Sequence, residues 1–71
     1  MTRLGEFLAK KSINRADVSR KTGINTTRLS DLANTPSAKL RADELYLIAL
    51  AIDSDPCELL KYVCEEIQLK S

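Results

Sequence analysis

The sequence predicts an all-α fold of five short helices in a single domain that spans residues 1–71. Apolar residues recur three and four positions apart in several segments, which is the spacing of one helix face. Only two glycines and two prolines interrupt the chain, and there are few of the β-branched runs that favour a sheet. A chain of 71 residues is long enough for one small hydrophobic core.

Capping residues locate the ends of the predicted helices. The five helices are expected at about residues 2–11, 15–22, 26–34, 41–52 and from 56 toward 71. Their suitable N-cap residues are Thr2, Asn14, Asn25 and Asp55. Asp17 imitates the acidic member of a capping box, and Pro56 suits the first position of the fifth helix. The second helix should end before Gly23, because glycine enters the left-handed backbone region without a steric cost.

The fourth helix is apolar almost all round, so we expect it to be the central helix of the core. Its apolar residues are Leu45, Leu47, Ile48, Ala49, Leu50 and Ile52. Asp43 and Glu44 favour its first turn through the helix dipole.

Charge is divided unevenly along the chain, although the net charge is only +1. Residues 1–41 carry nine basic and three acidic groups, whereas residues 42–71 carry two basic and seven acidic groups. Such a molecule can present one basic face to a polyanion, with the acidic half pointing away. The simpler interpretation is solvated surface charge.

Several classes of function lack their signals. The longest apolar run covers residues 45–52, which is too short to span a membrane, and the N-terminus has no signal-peptide core; both favour a cytoplasmic protein. Cys57 and Cys64 lie too far apart for a disulfide within one helix and, without histidine, give at most half a zinc site, so we expect reduced cysteines and no metal. No phosphate loop or paired-carboxylate cleft is present, so no enzyme activity, cofactor or small-molecule ligand is expected.

The most informative segment covers residues 15–32, where two short helices joined by a glycine turn predict a helix-turn-helix. Ser19 is the small residue needed where the two helices cross, and Ile24 is the apolar residue that points inward from the turn. The residues that flank this crossing on the apolar side are Val18, Leu29 and Leu32.

Residues 15–25 (RADVSRKTGIN) resemble the second helix and turn of the phage repressor and Cro type of helix-turn-helix, the Xre-like family of bacterial and phage regulators. Residues 45–60 (LYLIALAIDSDPCELL) look like the fourth helix and the start of the fifth in that family. The resemblance spans about residues 4–63 and implies the lambda-repressor-like five-helix fold and operator binding. It implies a transcriptional regulator, repressor-like in kind.

Four positions depart from the family pattern. Arg15 stands where the family usually has glutamine, Ser19 where it has alanine, and Arg41 where it has serine, so the fourth helix should be poorly capped. Residues 33–35 read Ala-Asn-Thr instead of a glutamate-x-glycine ending. These departures bear on which DNA is read more than on the fold.

The helix that begins near Asn25 is expected to enter the major groove of double-stranded DNA. The residues expected at base edges are Asn25, Thr26, Thr27, Ser30 and Asp31. The residues expected at phosphates are Asn14, Arg15, Arg28, Lys39 and Arg41, with Arg28 ambiguous between phosphate and base. Each of these side chains has a plainer interpretation as a solvated surface or first-turn residue.

An apolar stripe on the fifth helix predicts a homodimer that would set two reading helices one DNA turn apart. Its residues are Leu60, Val63, Cys64 and Ile67. Two alternatives to a regulator remain open. One is a protein-interaction module that kept the helical fold, which acidic Asp31 in the reading helix favours. The other is the antitoxin of a toxin–antitoxin pair, although the sequence has no long disordered tail to wrap a toxin.

Overall fold

The computed structural model describes residues 1–70, and in that range the chain forms five α-helices and no strand. The helices are α1 (Arg3–Lys10), α2 (Arg15–Thr22), α3 (Thr26–Asn34), α4 (Ala42–Ala51) and α5 (Pro56–Val63). The predicted all-α class is confirmed, and α2 and α3 have the predicted bounds. Among these described helices, none combines the length and apolar character that a membrane crossing requires.

The helices enclose one apolar cluster. α1 packs on α3 and α5, α2 packs on α3 and α4, and α4 packs on α5. The buried members of the cluster are Leu4, Phe7, Leu8, Val18, Leu29, Leu32, Leu45, Ile48, Ala49 and Leu59. Every helix therefore contributes to one core, and the buried sides of α2 and α3 pack against it.

Side-chain caps begin the helices where the sequence indicates. The Oδ1 atom of Asn14 accepts from the backbone N–H of Ala16 at 2.8 Å, and Asp55 and Thr2 cap α5 and α1 in the same way. Asp17 does not complete a capping box; its carboxylate pairs with Arg20 on the exposed side of α2 instead.

The start of α4 is capped differently. Arg41 is its N-cap residue and its side chain makes no capping hydrogen bond, as expected from the loss of the usual serine. The backbone N–H of Arg41 instead donates to Oε1 of Glu44 at 3.0 Å. Glu44 thus supplies one half of a capping box.

Two expectations about α4 and α5 are wrong. α4 is not buried all round, because Tyr46, Leu47 and Leu50 are exposed on its outer side. The predicted apolar stripe is longer than the helix that was expected to carry it. α5 ends at Val63 with Cys64 as its C-cap, so Ile67 lies beyond the helix. The predicted continuation of this helix toward residue 71 is not seen in residues 64–70, and Ser71 lies outside the described residues.

The start of α1 closes the end of α3. The hydroxyl of Thr2 donates to the carbonyl of Leu32 at 2.6 Å, and the backbone N–H of Thr2 donates to the carbonyl of Ala33 at 2.9 Å. The last carbonyls of a helix have no partner within it, so these bonds satisfy groups that would otherwise depend on water. The C-terminal end of α3 is fixed by the beginning of the chain.

Candidate nucleic-acid interface

The turn between α2 and α3 is rigidly defined by its hydrogen bonds. Gly23 adopts φ 80° and ψ −1°, in the left-handed region, and its N–H donates to the carbonyl of Ser19 at 2.9 Å. The hydroxyl of Thr22 donates to the carbonyl of Val18 at 2.7 Å and accepts from the N–H of Ile24 at 3.1 Å. Glycine at the left-handed position and a bridging hydroxyl before it together set the direction in which α3 leaves the turn.

Apolar side chains hold α2 and α3 together on the side that faces the core. Val18 and Leu32 are buried, Leu29 is completely inaccessible to solvent, and Ile24 packs partly buried against the same cluster. The sequence assigned these four residues to the inner side of a helix-turn-helix, and the structure confirms that assignment.

The outer face of α3 is polar and open to solvent. Thr26, Thr27, Ser30 and Asp31 are exposed, and none of them uses its side chain in a hydrogen bond within residues 1–70. The hydroxyls can donate and accept, and the carboxylate can only accept while it is ionised. The exposed face of α3 therefore offers hydrogen-bond donors and acceptors of the kind that read base edges.

Asn25 lies at the N-terminal edge of this face and has a structural role as well. Its Oδ1 accepts from the backbone N–H of Arg28 at 2.8 Å, which caps α3. The side-chain NH₂ group of Asn25 remains as the part that can donate to a ligand.

The side chains expected at phosphates fall at two places around α3. Asn14 and Arg15 begin α2, with Asn14 exposed and Arg15 partly exposed. Lys39 and Arg41 lie in the segment between α3 and α4 and are both exposed. The guanidinium of Arg41 is 2.9 Å from Oδ2 of Asp43, in an ion pair of two highly exposed side chains. Such a pair is weak and leaves Arg41 able to contact a phosphate.

Arg28 has a different environment from the one expected. Its Nε lies 2.9 Å from Oε2 of Glu44, and its Nη2 lies 3.0 Å from Oε1 of the same carboxylate. Nη2 also donates to the carbonyl of Lys39 at 2.8 Å. This guanidinium is committed to the protein along its Nε–Nη2 edge, so the geometry favours a structural role for Arg28 over a direct phosphate contact.

Glu44 is the residue near the interface that sequence reasoning did not assign to it. Its 7% exposure makes it the one buried charged residue among those the structure describes. The hydrogen bonds from Arg28 hold the pKa of Glu44 below its usual value, and the same pairing raises the pKa of Arg28. The available signal was its position three residues after the N-cap of α4, where a glutamate reaches back to the backbone.

Not all the basic residues of the N-terminal half lie on the side of α2 and α3. The guanidinium of Arg3 lies 4.1 Å from the ring centre of Tyr62 on α5, and it pairs with Glu65. Lys10 also lies over the Tyr62 ring, at 5.4 Å. These two cations join α1 to the acidic C-terminal half, and the cations at the α2–α3 side are therefore fewer than the sequence count.

A short helix, a left-handed glycine turn and a second helix with a free polar face define a helix-turn-helix domain. A family model described as the Cro/C1-type HTH DNA-binding domain matches residues 3–65. The chain belongs to this family, and the membership indicates DNA binding. Comparison with curated proteins and with solved structures gave no significant match.

Proposed function

We propose that this chain binds double-stranded DNA in a sequence-specific manner and acts as a small, repressor-like transcription regulator without enzymatic activity. In this proposal α3 enters the major groove. We expect the protein to act in the cytoplasm of a bacterium or of a phage-infected cell.

The observation that carries the proposal is the free polar face of α3. The face holds Thr26, Thr27, Ser30 and Asp31. The side that packs against the core carries Leu29 and Leu32, so the stability of the domain does not depend on the exposed face. Threonine can bond to base edges or press its methyl on thymine, and aspartate can accept from cytosine. A mixture of donors and acceptors suits base reading, whereas lysine or arginine alone would suit only the phosphate backbone.

Apart from Arg28, the residues expected at phosphates form two pairs at two places around α3, and each pair would meet one DNA strand. Asn14 and Arg15 would approach one strand at the start of α2, where the positive end of the helix dipole adds to the attraction for an anion. Lys39 and Arg41 would approach the other strand. Because phosphate contacts carry little sequence information, these four residues would position α3 and add affinity.

We further propose a homodimer through α5 and the segment that follows it. Leu60 is 50% exposed and Ile67 is 72% exposed, and Val63 and Cys64 between them are partly buried. Val63, Cys64 and Ile67 also line an open cleft. Apolar surface of this kind favours self-association in so small a domain, and a two-fold axis there would present two reading helices to a palindromic site.

The proposal is tested by selecting bound duplexes from a randomised DNA pool and measuring the affinity of the best duplex against a scrambled one. We expect a selected motif, a clear preference over the scrambled duplex, and affinity that falls steeply with salt, with a log–log slope of about −0.9 for each phosphate neutralised. Binding that does not change between low and moderate salt, or a pool that yields no motif, would contradict it.

Two observations favour a protein-interaction module as the second candidate. Asp31 is an exposed acid in the middle of the α3 face, and Arg28 on the same helix is held by Glu44. Both features lower the positive charge that α3 can offer to DNA. If no duplex is selected, the next test is Asp31→Asn, which removes the acid from this face. A variant that still binds no duplex would make a protein ligand for the same face the better explanation.

A further inference from the structure

α3 and α4 are joined by a segment with no regular structure, and the backbones of the two helices make no close contact within the described chain. The segment covers residues 35–41 and carries Lys39 and Arg41, two of the proposed phosphate contacts. Ala38 and Leu40 of this segment pack partly buried against the core on either side of Lys39, and polar contacts with α3 and α4 add to this anchoring.

The carboxylate of Glu44 connects α3, α4 and the segment between them. It receives two hydrogen bonds from Arg28 of α3, at 2.9 and 3.0 Å, and a third from the backbone N–H of Arg41, at 3.0 Å. Arg28 in turn donates to the carbonyl of Lys39 at 2.8 Å. The pair thus contacts the backbone of both residues that carry the loop cations.

Burial makes this arrangement stiff. Glu44 is 7% exposed, and an ionised carboxylate that is shielded from water needs its full set of hydrogen-bond donors. A bidentate guanidinium–carboxylate pair also fixes the mutual orientation of its partners, which a single hydrogen bond does not. The other acid at the start of α4, Asp43, is exposed and bonds only to the side chain of Arg41 and to a backbone N–H of its own helix.

We infer that Arg28 and Glu44 are positioning residues for DNA binding: their ion pair holds the Lys39–Arg41 backbone at a fixed place beside the reading face of α3. Neither carboxylate oxygen of Glu44 touches DNA. The pair acts by presenting the loop cations to one strand while α3 lies in the groove. This inference rests on the proposed DNA-binding function.

The test compares two substitutions that change the net charge equally. Glu44→Gln and Asp43→Asn each remove one negative charge, so general electrostatic attraction predicts tighter DNA binding for both. If the pair positions the loop, Glu44→Gln should instead weaken binding to the selected duplex on the order of tenfold, whereas Asp43→Asn should bind as tightly as the unmodified protein or more tightly.

A double-mutant cycle separates positioning from a general loss of structure. Lys39→Ala should weaken binding and make the salt slope shallower by about one unit in the unmodified protein. In the Glu44→Gln background the same substitution should have a smaller effect on both affinity and slope, because Lys39 is no longer held in place. Circular dichroism below the melting temperature checks that each variant is folded. Arg28→Lys, which keeps the charge and loses the bidentate geometry, serves if Glu44→Gln does not fold and should weaken binding as well.

Three outcomes are distinguishable. Weaker binding by Glu44→Gln with reduced Lys39 coupling supports the inference. Glu44→Gln or Arg28→Lys that folds and binds as tightly as Asp43→Asn overturns it, while the DNA-binding proposal stands. An unmodified protein that binds no duplex at low salt refutes the proposed function itself.

Discussion

Gly5 of α1 lies against the carbonyl oxygen of Ala33 at the end of α3, so closely that a Cβ on Gly5 would overlap that oxygen. The same oxygen accepts the backbone N–H of Thr2 at 2.9 Å. The two helices therefore meet backbone to backbone, and Gly5 is a glycine for reasons of space. Gly23 differs, because a Cβ there would meet nothing within 4 Å and only its φ of 80° favours glycine.

These two glycines should respond differently to substitution. Gly5→Ala is expected to lower the free energy of unfolding by about 1–3 kcal/mol through overpacking, and Gly5→Asn should be worse. Gly23→Ala is expected to lower it by about 1–2 kcal/mol through the left-handed backbone, and Gly23→Asn should recover part of that loss because asparagine tolerates this region. Urea unfolding followed by circular dichroism measures all four variants. An unchanged midpoint for Gly5→Ala would mean that α1 can move away from α3 at no cost.

Arg15 and Thr27 should affect DNA binding in different ways. Arg15→Ala is expected to weaken binding by similar factors on selected and random duplexes and to make the salt slope shallower by about one unit. Thr27→Ala is expected to cost on the order of 1–3 kcal/mol on the selected duplex and little on random DNA. Fluorescence anisotropy at two salt concentrations distinguishes them. A Thr27→Ala variant that loses equally on both duplexes would show that the proposed register of α3 is wrong.

Leu29 supports α3 from the core side and is the control for both surface variants. Its side chain is fully buried, so Leu29→Ala should lower the free energy of unfolding by roughly 2–5 kcal/mol. Thr27 lies on the exposed face of the same helix, so Thr27→Ala should leave the free energy of unfolding nearly unchanged. Thermal melts of the two variants side by side provide the measurement, and equal melting temperatures would contradict the assigned inner and outer faces.

Acid should weaken the domain partly through Glu44. Because Arg28 holds the pKa of Glu44 below its ordinary value of 4.5, folding favours the ionised form. The resulting stabilisation is fully present above pH 4.5 and is lost as the pH falls through the lowered folded-state pKa. Glu44→Gln should therefore lose less unfolding free energy than the unmodified protein between neutral pH and the acid range. Urea titrations at several pH values test this, with Asp43→Asn as the exposed control; parallel acid losses in all three proteins would contradict it.

The proposed dimer offers a matched pair of exposed leucines. Leu60 on α5 is 50% exposed and Leu50 on α4 is 51% exposed. Leu60→Lys should shift the protein toward monomer in sedimentation equilibrium and weaken binding to a palindromic duplex, whereas Leu50→Lys should change neither. If Leu50→Lys is the variant that dissociates, the dimer forms through α4. A protein that remains monomeric at millimolar concentration and on DNA has no such interface.

Local signals were enough to predict the helix-turn-helix. Asn25, Gly23 and the spacing from Val18 to Leu32 depend on neighbours within a few residues, and both helices have the predicted bounds. The end of α5 was not predictable in the same way. Nothing in residues 64–67 breaks a helix, and α5 ends at Val63, the last residue that packs against the core.

The contact between Arg28 and Glu44 lay beyond sequence reasoning for a similar reason. The two residues are sixteen positions apart on different helices, and in the sequence Arg28 is one more cation on a polar helix. Only the folded path of residues 35–41 brings the carboxylate to the guanidinium. The candidate base-reading residues were easier to infer, because an exposed face follows directly from helical periodicity once the buried face is known.

The side chains at the exposed face of α3 are free of structural duties, and this separation has an evolutionary consequence. Thr26, Thr27, Ser30 and Asp31 form no side-chain hydrogen bonds within residues 1–70, so each can be exchanged with little effect on folding. Under the proposed function, descendants of this sequence could therefore acquire new target sites by substitution at these four positions alone. The same independence makes the face suitable for combinatorial libraries in which the scaffold stays constant and only the recognised sequence changes.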